Sequence, residues 1–446
     1  MPRFKEASKQ DRARFARVRL PNVYRELRGM VVNTGMLTIG RRSLLKAGAI
    51  VGGLQVASPF IIKARGETPV KIGFIDPITG SLSALAVTEV EAAKWTVAQM
   101  NKTGGILGRP VELLIEDSAN DTGTGVQKAH KLIERDNVDV IIGDVNSGIA
   151  YAIMGVTAEK GILHIVPGGH TDPITGTDCK WNTYRTCNTS AMDTAAISGE
   201  LLKRFGKKWF FVTPDYAYGK TLQANFIKKL TAAGGTFEGD MLPIATSDFS
   251  ATLIKAKAFK PDVLLNNMGG SAQINCMKQF LQFGMNKDMA LGGALFEIES
   301  VRSVPKEAQA GWWCMEWYWN NPSVPAVKTF VDAISPSIGK KPTARHWMAY
   351  VSVHAFKMAA EKAKSLKGID MAHAMADMEL PPEISLMPGK IRYRAGDHQL
   401  MSDIHIGQMH PPEGDPDNYF TISSTVTGEE AAGSVESTGC KMVFPT

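Results

Sequence analysis

The sequence has no run of about 20 predominantly apolar residues, the length a membrane-crossing helix needs. It has no G-x-S-x-G elbow, no H-E-x-x-H pair and no complete G-x-G-x-x-G fingerprint. Those absences remove the local signatures of serine hydrolases, zinc peptidases and dinucleotide enzymes, so no enzyme is expected. The stretch 213–221 ends in Gly-Lys-Thr, but Pro214 stands where a phosphate loop needs its leading glycine, so nucleotide binding is excluded there. There is no C-x-x-C among the five cysteines and the nine histidines are scattered, so neither a metal nor a cofactor is expected. No short-period repeat or low-complexity tract interrupts the 446 residues.

The formal charge of +6 invites a nucleic-acid reading that its distribution refuses. Of the 50 basic and 44 acidic residues, 14 and 3 fall within 1–65. Residues 66–446 therefore hold 36 bases and 41 acids, a net charge of −5. The basic balance belongs to a leader of 65 residues and no nucleic-acid partner is expected. Within it, Gly40-Arg41-Arg42-Ser43-Leu44-Leu45-Lys46 resembles a twin-arginine export signal, followed by a mild Gly/Ala-rich stretch over 47–57. Cleavage after Ala57 or Ala64 fits this pattern, and translation starting at Met30 or Met36 would bring the arginine pair closer to the N-terminus.

From Val70 onward short apolar runs alternate with helical stretches. Strands are expected at 70–75, 111–115, 138–142 and 161–166, separated by helices. The rhythm restarts with strands at 209–213, 236–243, 262–266 and 289–292. Buried runs separated by helices argue for parallel sheets covered on both faces. Two series argue for an α/β protein of two doubly wound lobes.

Asn101-Lys102-Thr103-Gly104-Gly105-Ile106-Leu107-Gly108-Arg109-Pro110-Val111 resembles the helix end, glycine turn and second strand of the type I periplasmic binding proteins for branched-chain amino acids and amides. The stretches Lys131-Leu132-Ile133, Ile141-Ile142-Gly143, 162–167, Asp215 with Tyr218-Gly219, and Arg394 with Asp397-His398-Gln399 match in the same order. The resemblance spans 69 to about 410. It implies lobes joined by three crossings near 188, 320 and 395, with a ligand cleft between them. Lobe I would be 66–188 plus 321–395, and lobe II 189–320 plus 396–446. It also implies a periplasmic monomer that hands a small solute to an ABC permease, and the Arg41-Arg42 leader adds export by the twin-arginine route. An exported ligand-sensing receptor is the alternative use of such a fold.

Residue by residue, the resemblance places ligand contacts at Ser147, Gly168, His170 and Tyr218, with Thr171 one step from the family's threonine position. Ser147 follows a strand and opens a helix, where free N–H groups suit an acceptor oxygen. The acid that meets an amino-acid ligand's amine falls on Leu295, with Glu297 two residues on. An aromatic that covers the ligand falls on Leu85. Losing the ammonium's counter-charge in a dry cleft costs several kcal/mol, so an amide, a urea-like compound or an organic acid stands beside an amino acid as the expected ligand.

Trp312-Trp313 and Trp317-Tyr318-Trp319 read as a strand with alternate rings in the core; a place in the cleft would fall to Trp317 or Trp319. Five cysteines suit one or two disulfides in an exported protein. Cys179 with Cys187 is the expected pair and Cys314 with Cys440 a weaker one, leaving Cys276 as a buried thiol.

Overall fold

The computed structural model describes residues 68–445. The leader, with the arginine pair, lies outside the described residues. The first series runs β1 (Val70–Asp76), α1 (Ser83–Lys102), β2 (Val111–Asp117), α2 (Thr122–His130), β3 (Val140–Gly143), α3 (Ser147–Lys160), β4 (Leu163–Val166) and β5 (Thr183–Arg185). These strands form one sheet in the order β2-β1-β3-β4-β5, with every neighbouring pair parallel. Parallel strands are buried on both faces, which is why β1 is almost continuously apolar. Between α1 and β2 the chain turns back at Gly105, whose φ of +72° and 1.8 Å spacing from a built Cβ to the Arg109 carbonyl leave no room for a side chain.

The second series runs α4 (Ser190–Phe205), β6 (Lys208–Pro214), α5 (Ala217–Ala232), β7 (Thr236–Leu242), α6 (Ser250–Phe259), β8 (Val263–Asn266), α7 (Gly270–Gln282), β9 (Ala290–Leu295), α8 (Ile298–Val301) and β10 (Trp312–Met315). Its strands repeat the first order as β7-β6-β8-β9-β10. The chain then gives α9 (Pro325–Ile338), α10 (Ala344–Ala363), α11 (Gly368–Met375), β11 (Glu379–Leu380), α12 (Pro382–Ser385) and β12 (Ile391–Arg392). Phe330, Trp347, Phe356 and Met371 of this segment share a core with Val70, Ile72 and Phe74, so it belongs with the first sheet. Last come β13 (Ile404–Met409), β14 (Phe420–Val426) and α13 (Gly428–Ala432).

The second sheet is not wholly parallel, as the alternating pattern suggested. β13 pairs antiparallel with β10, and β14 antiparallel with β13. The reason is connectivity: a chain re-entering from the other lobe has no crossover helix to reverse its direction.

The first sheet closes with β5, the second takes up β6 to β10, the segment α9 to β12 packs on the first, and β13 and β14 complete the second. The tail then returns to the first sheet's side. α13 packs on α4, yet Cys440 is bonded to Cys179, between β4 and β5, and Phe444 stacks on His373 with ring centres 4.4 Å apart. The expected Cys179–Cys187 bridge is therefore wrong, as is Cys314–Cys440. Cys187, Cys276 and Cys314 are buried thiols. The extended β5 lies between Cys179 and Cys187 and carries the second away from the first.

Candidate functional site

In both sheets the strand order reverses beside the first strand, and ligands bind open α/β sheets at such points, outside the strand C-termini. Here the two sets of C-terminal ends face each other. A narrow cavity of about 30 Å³ lies between them. Lobe I lines it with Leu82 and Leu85 after β1, Val145 after β3, Gly168 and His170 after β4, and Arg345 from α10. Lobe II lines it with Tyr216 and Tyr218 after β6, Met268 and Gly269 after β8, Gln273 on α7, and Leu295 and Glu297 at the end of β9. A roomier apolar hollow of about 210 Å³, with Phe205, Phe280 and Trp312 in its wall, opens at the opposite, N-terminal end of β9 and β10.

Five of the expected contacts, Leu85, Gly168, His170, Tyr218 and Leu295, meet at this cavity. Ser147 and Thr171 do not line it. Asn146, not Ser147, caps α3, its Oδ1 accepting from the N–H of Gly148 at 2.9 Å. The Ser147 hydroxyl accepts from the Thr171 N–H at 3.2 Å and so holds the 168–171 turn from behind. The Thr171 hydroxyl donates to the Ala217 carbonyl of lobe II at 3.2 Å. Asn225 of lobe II donates to Asp172 at 2.6 Å, so the lobes are closed along this edge. Trp317 donates its N–H to Leu386 O and Trp319 to Asp417 O; neither lines the cavity.

Sequence reasoning missed the charged centre of the cleft. Arg345 is buried and donates from Nη1 to Glu89 Oε1 at 3.0 Å. Its Nε donates to both Glu297 oxygens, at 3.0 and 3.2 Å, and its Nη2 also donates to Glu297. The guanidinium thus ties α1 and α10 of lobe I to the end of β9 in lobe II. Burial opposes its charge, but Glu297 and Glu89 outweigh burial and raise its pKa above the usual arginine range. Burial, with Asp76 nearby, lifts Glu89 well above the ordinary carboxylate range. Gly168 leaves room for this pair: a built Cβ there stands 2.4 Å from Arg345 Nη1 and 2.7 Å from Glu89 Oε1. No local motif announces Arg345. Glu89 left one signal, an acid set among Ala86, Val90 and Ala93 on an apolar helix face.

Beneath the lobe I wall, Asp76 and Asp144 end β1 and β3. Asp76 accepts from the Val145 N–H at 2.9 Å, and Asp144 accepts from Ser118 at 2.6 Å and the Asn146 N–H at 2.7 Å. Burial raises both carboxyls well above their usual range. On the lobe II side, Gln273 donates to Leu295 O at 3.0 Å and leaves its own carbonyl oxygen without a partner. His170 is buried with neither ring nitrogen hydrogen-bonded, and burial lowers its pKa to about 4, so the ring is neutral.

A twice-wound α/β clamp with a polar-centred cleft is the architecture of a solute-capturing protein. By its match to the periplasmic binding protein model over residues 69–415, this chain belongs to the periplasmic binding protein family. It is 26% identical over 338 residues to a Leu/Ile/Val-binding protein homolog of Brucella abortus, covering 74% of this chain and 88% of that one. It is 33% identical over 198 residues to the Leu/Ile/Val-binding protein BraC3 of Rhizobium johnstonii, a match to 44% of this chain that spans about half (53%) of that protein. A crystal structure of a periplasmic binding protein from Burkholderia mallei superposes with a TM-score of 0.76 at 27% identity, covering 81% of this chain and 96% of that one. Among the described residues no helix is long and apolar enough to cross a membrane.

Proposed function

We propose that this protein captures a small solute with a carboxylate or carboxamide head, an apolar body and no α-ammonium group, and delivers it to an ABC permease. As a periplasmic binding protein it is the solute-binding part of such a system, and lobe closure is the capture step. One observation carries the ligand class: among the described residues the only carboxylate lining the cavity, Glu297, is engaged on both oxygens by Arg345. An ammonium entering here would have to break that buried pair, at a cost of several kcal/mol, and Leu295 offers it nothing. Acceptor oxygens suit the donors that remain, the Arg345 guanidinium and the imidazole of His170. Leu82, Leu85, Val145, Met268 and the rings of Tyr216 and Tyr218 suit a flat or branched apolar body.

The reading includes export by the twin-arginine route, action as a monomer, and binding without catalysis. The crossings it uses are those near 188, 320 and 395, so lobe I is 66–188 plus 321–395 with the tail beyond 440 rejoining it. Calorimetric titration with leucine, 4-methylpentanoate, its amide and benzoate tests the ligand class. Binding of an acid or amide at least about tenfold tighter than leucine is expected; tight leucine binding overturns the reading. Fusion of residues 30–65 to a reporter in a strain lacking the twin-arginine machinery tests the export route, and undiminished export there overturns it.

A further inference from the structure

Behind His170, away from the cavity, two buried carboxylates turn toward the same ring nitrogen. Glu316, just past β10, places Oε1 3.3 Å from His170 Nδ1, and Asp193, in the first turn of α4, places Oδ2 3.7 Å from it. All three ligand atoms lie within 4.8 Å of one another. No hydrogen bond joins these three buried atoms to one another or to any other residue, although His170 Nδ1 stands at ion-pair distance from both carboxylates. Buried polar atoms are ordinarily paired, and three unpaired ones converging on one point is the arrangement of a cation site.

The surroundings support the same reading. The other oxygen of each carboxylate is held by a single residue: the Asn188 N–H donates to Glu316 Oε2 at 2.9 Å, and the Asn188 side chain donates to Asp193 Oδ1 at 3.3 Å. Ser402 in turn donates to Asn188 Oδ1 at 3.2 Å. The His170 carbonyl accepts from Ser190 N–H and hydroxyl at 2.9 and 3.1 Å. Outer partners of this kind fix the orientation of metal ligands. The two nearest cations face elsewhere, Arg345 to Glu89 and Glu297, and Arg185 to Thr171 O, Thr175 and Gln399.

We propose that His170, Asp193 and Glu316 bind one divalent transition ion of the zinc class, which clasps lobe I to lobe II at the base of the closed cleft. Zinc bonds of about 2.0–2.2 Å to nitrogen and oxygen set neighbouring donors roughly 3.3 Å apart, close to the two measured separations. One neutral imidazole and two carboxylates, whose protons the ion displaces on binding, balance a double charge. An imidazole donor and so few oxygens disfavour calcium and magnesium, which take six or more oxygen ligands. The three residues sit in separate elements, so no local spacing signals the site and the sequence reading expected no metal. His170 comes from lobe I, while Asp193 and Glu316 follow the first crossing and precede the second. The ion therefore stabilises the closed clamp rather than either lobe alone.

Tag-free protein, stripped with chelator, is titrated with Zn²⁺ by calorimetry and with Co²⁺ by visible absorption, in parallel with D193N and E316Q. Uptake of one ion per chain, a visible cobalt band, and a loss of affinity of roughly a hundredfold in each variant are expected. Circular dichroism verifies that the near-isosteric variants are folded. No stoichiometric uptake by the wild-type chain overturns the proposal, and so does uptake that survives both substitutions. The site stands on the cluster alone: the titrations contain no organic ligand, so their failure leaves the ligand class untouched.

Discussion

The two walls of the cleft are built on the same strand order but from different chemistry. Lobe I presents its loops over a buried charged network of Asp76, Glu89, Asp144 and Arg345, with each loop tied down by named hydrogen bonds. Lobe II presents Tyr216, Tyr218, Met268, Gln273 and Leu295, uncharged side chains, and the carboxylate of Glu297. The difference teaches a division of labour. A wall whose backbone is locked by buried carboxylates can hold a ligand head in fixed geometry. A wall of aromatic, thioether and aliphatic groups can fit to the body and complete closure.

The largest effect should come from breaking the charged link that Arg345 makes between the walls. Arg345→Met leaves Glu89 and Glu297 buried without their cation, and removing one member of a buried pair costs about 3–5 kcal/mol. A fall in thermal midpoint together with loss of ligand binding is expected. Unchanged stability would show that the walls are not joined through this residue.

Acid should sharpen the comparison next, because buried neutral histidines stand on both sides of it. Burial lowers His164 and His354 of lobe I to about 4, while beyond the third crossing it lowers His398 to about 3 and His405 to about 4. Unfolded histidine takes a proton near pH 6.5, and these folded ones do so only near 4 or below. Their stabilisation is complete above about pH 6.5 and is lost as the pH falls through that window. For His164 alone this amounts to about 3 kcal/mol. The buried carboxyls Asp76, Glu89 and Asp144, raised well above their usual range, gain stability as the pH falls and oppose this loss. The histidine share is therefore read by difference: between pH 7 and pH 4 the melting temperature of His164→Asn should fall less, or rise more, than that of the wild type.

Opening the tail's bridge is the next perturbation. Cys440→Ser releases a loop closed across a sequence separation of 261 residues, at a cost of about 2–4 kcal/mol. A lower midpoint that no longer responds to reductant is expected. If the wild-type midpoint is already indifferent to reductant, the bridge contributes nothing.

The smallest change tests how rigid the lobe I wall is. Gly168→Ala drives a methyl group against the Arg345–Glu89 pair and should cost about 1–3 kcal/mol. It should weaken solute binding more than the comparable lobe II change Leu295→Ala. The reverse order would mean that lobe II, not lobe I, sets the geometry.

Much of the fold was legible because buried parallel strands announce themselves. The runs at 70–75, 209–213 and 262–266 became β1, β6 and β8 with no end moved by more than one residue. The antiparallel edge was not legible, since β13 is buried almost throughout, like a parallel strand, β14 is mostly exposed, and their direction depends on where the chain re-enters. Within the site, positions just after strands were readable: Gly168, His170, Tyr218 and Leu295 reached the cavity through the strand that precedes each. Arg345, Glu89, Asp193 and Glu316 were not, because each is brought in by helix packing or by a crossing.

What the sequence determined by itself was the twofold α/β rhythm, the acidic body behind a basic leader, and the absence of an acid at Leu295. These are local properties of spacing and composition. The tertiary structure alone decided that Glu297 faces Arg345 instead of a ligand, that Cys179 bonds Cys440, and that His170 meets two carboxylates at the crossings. Each joins residues far apart in the chain. Only the closing of one lobe on the other, and the return of the tail, brings them within bonding distance.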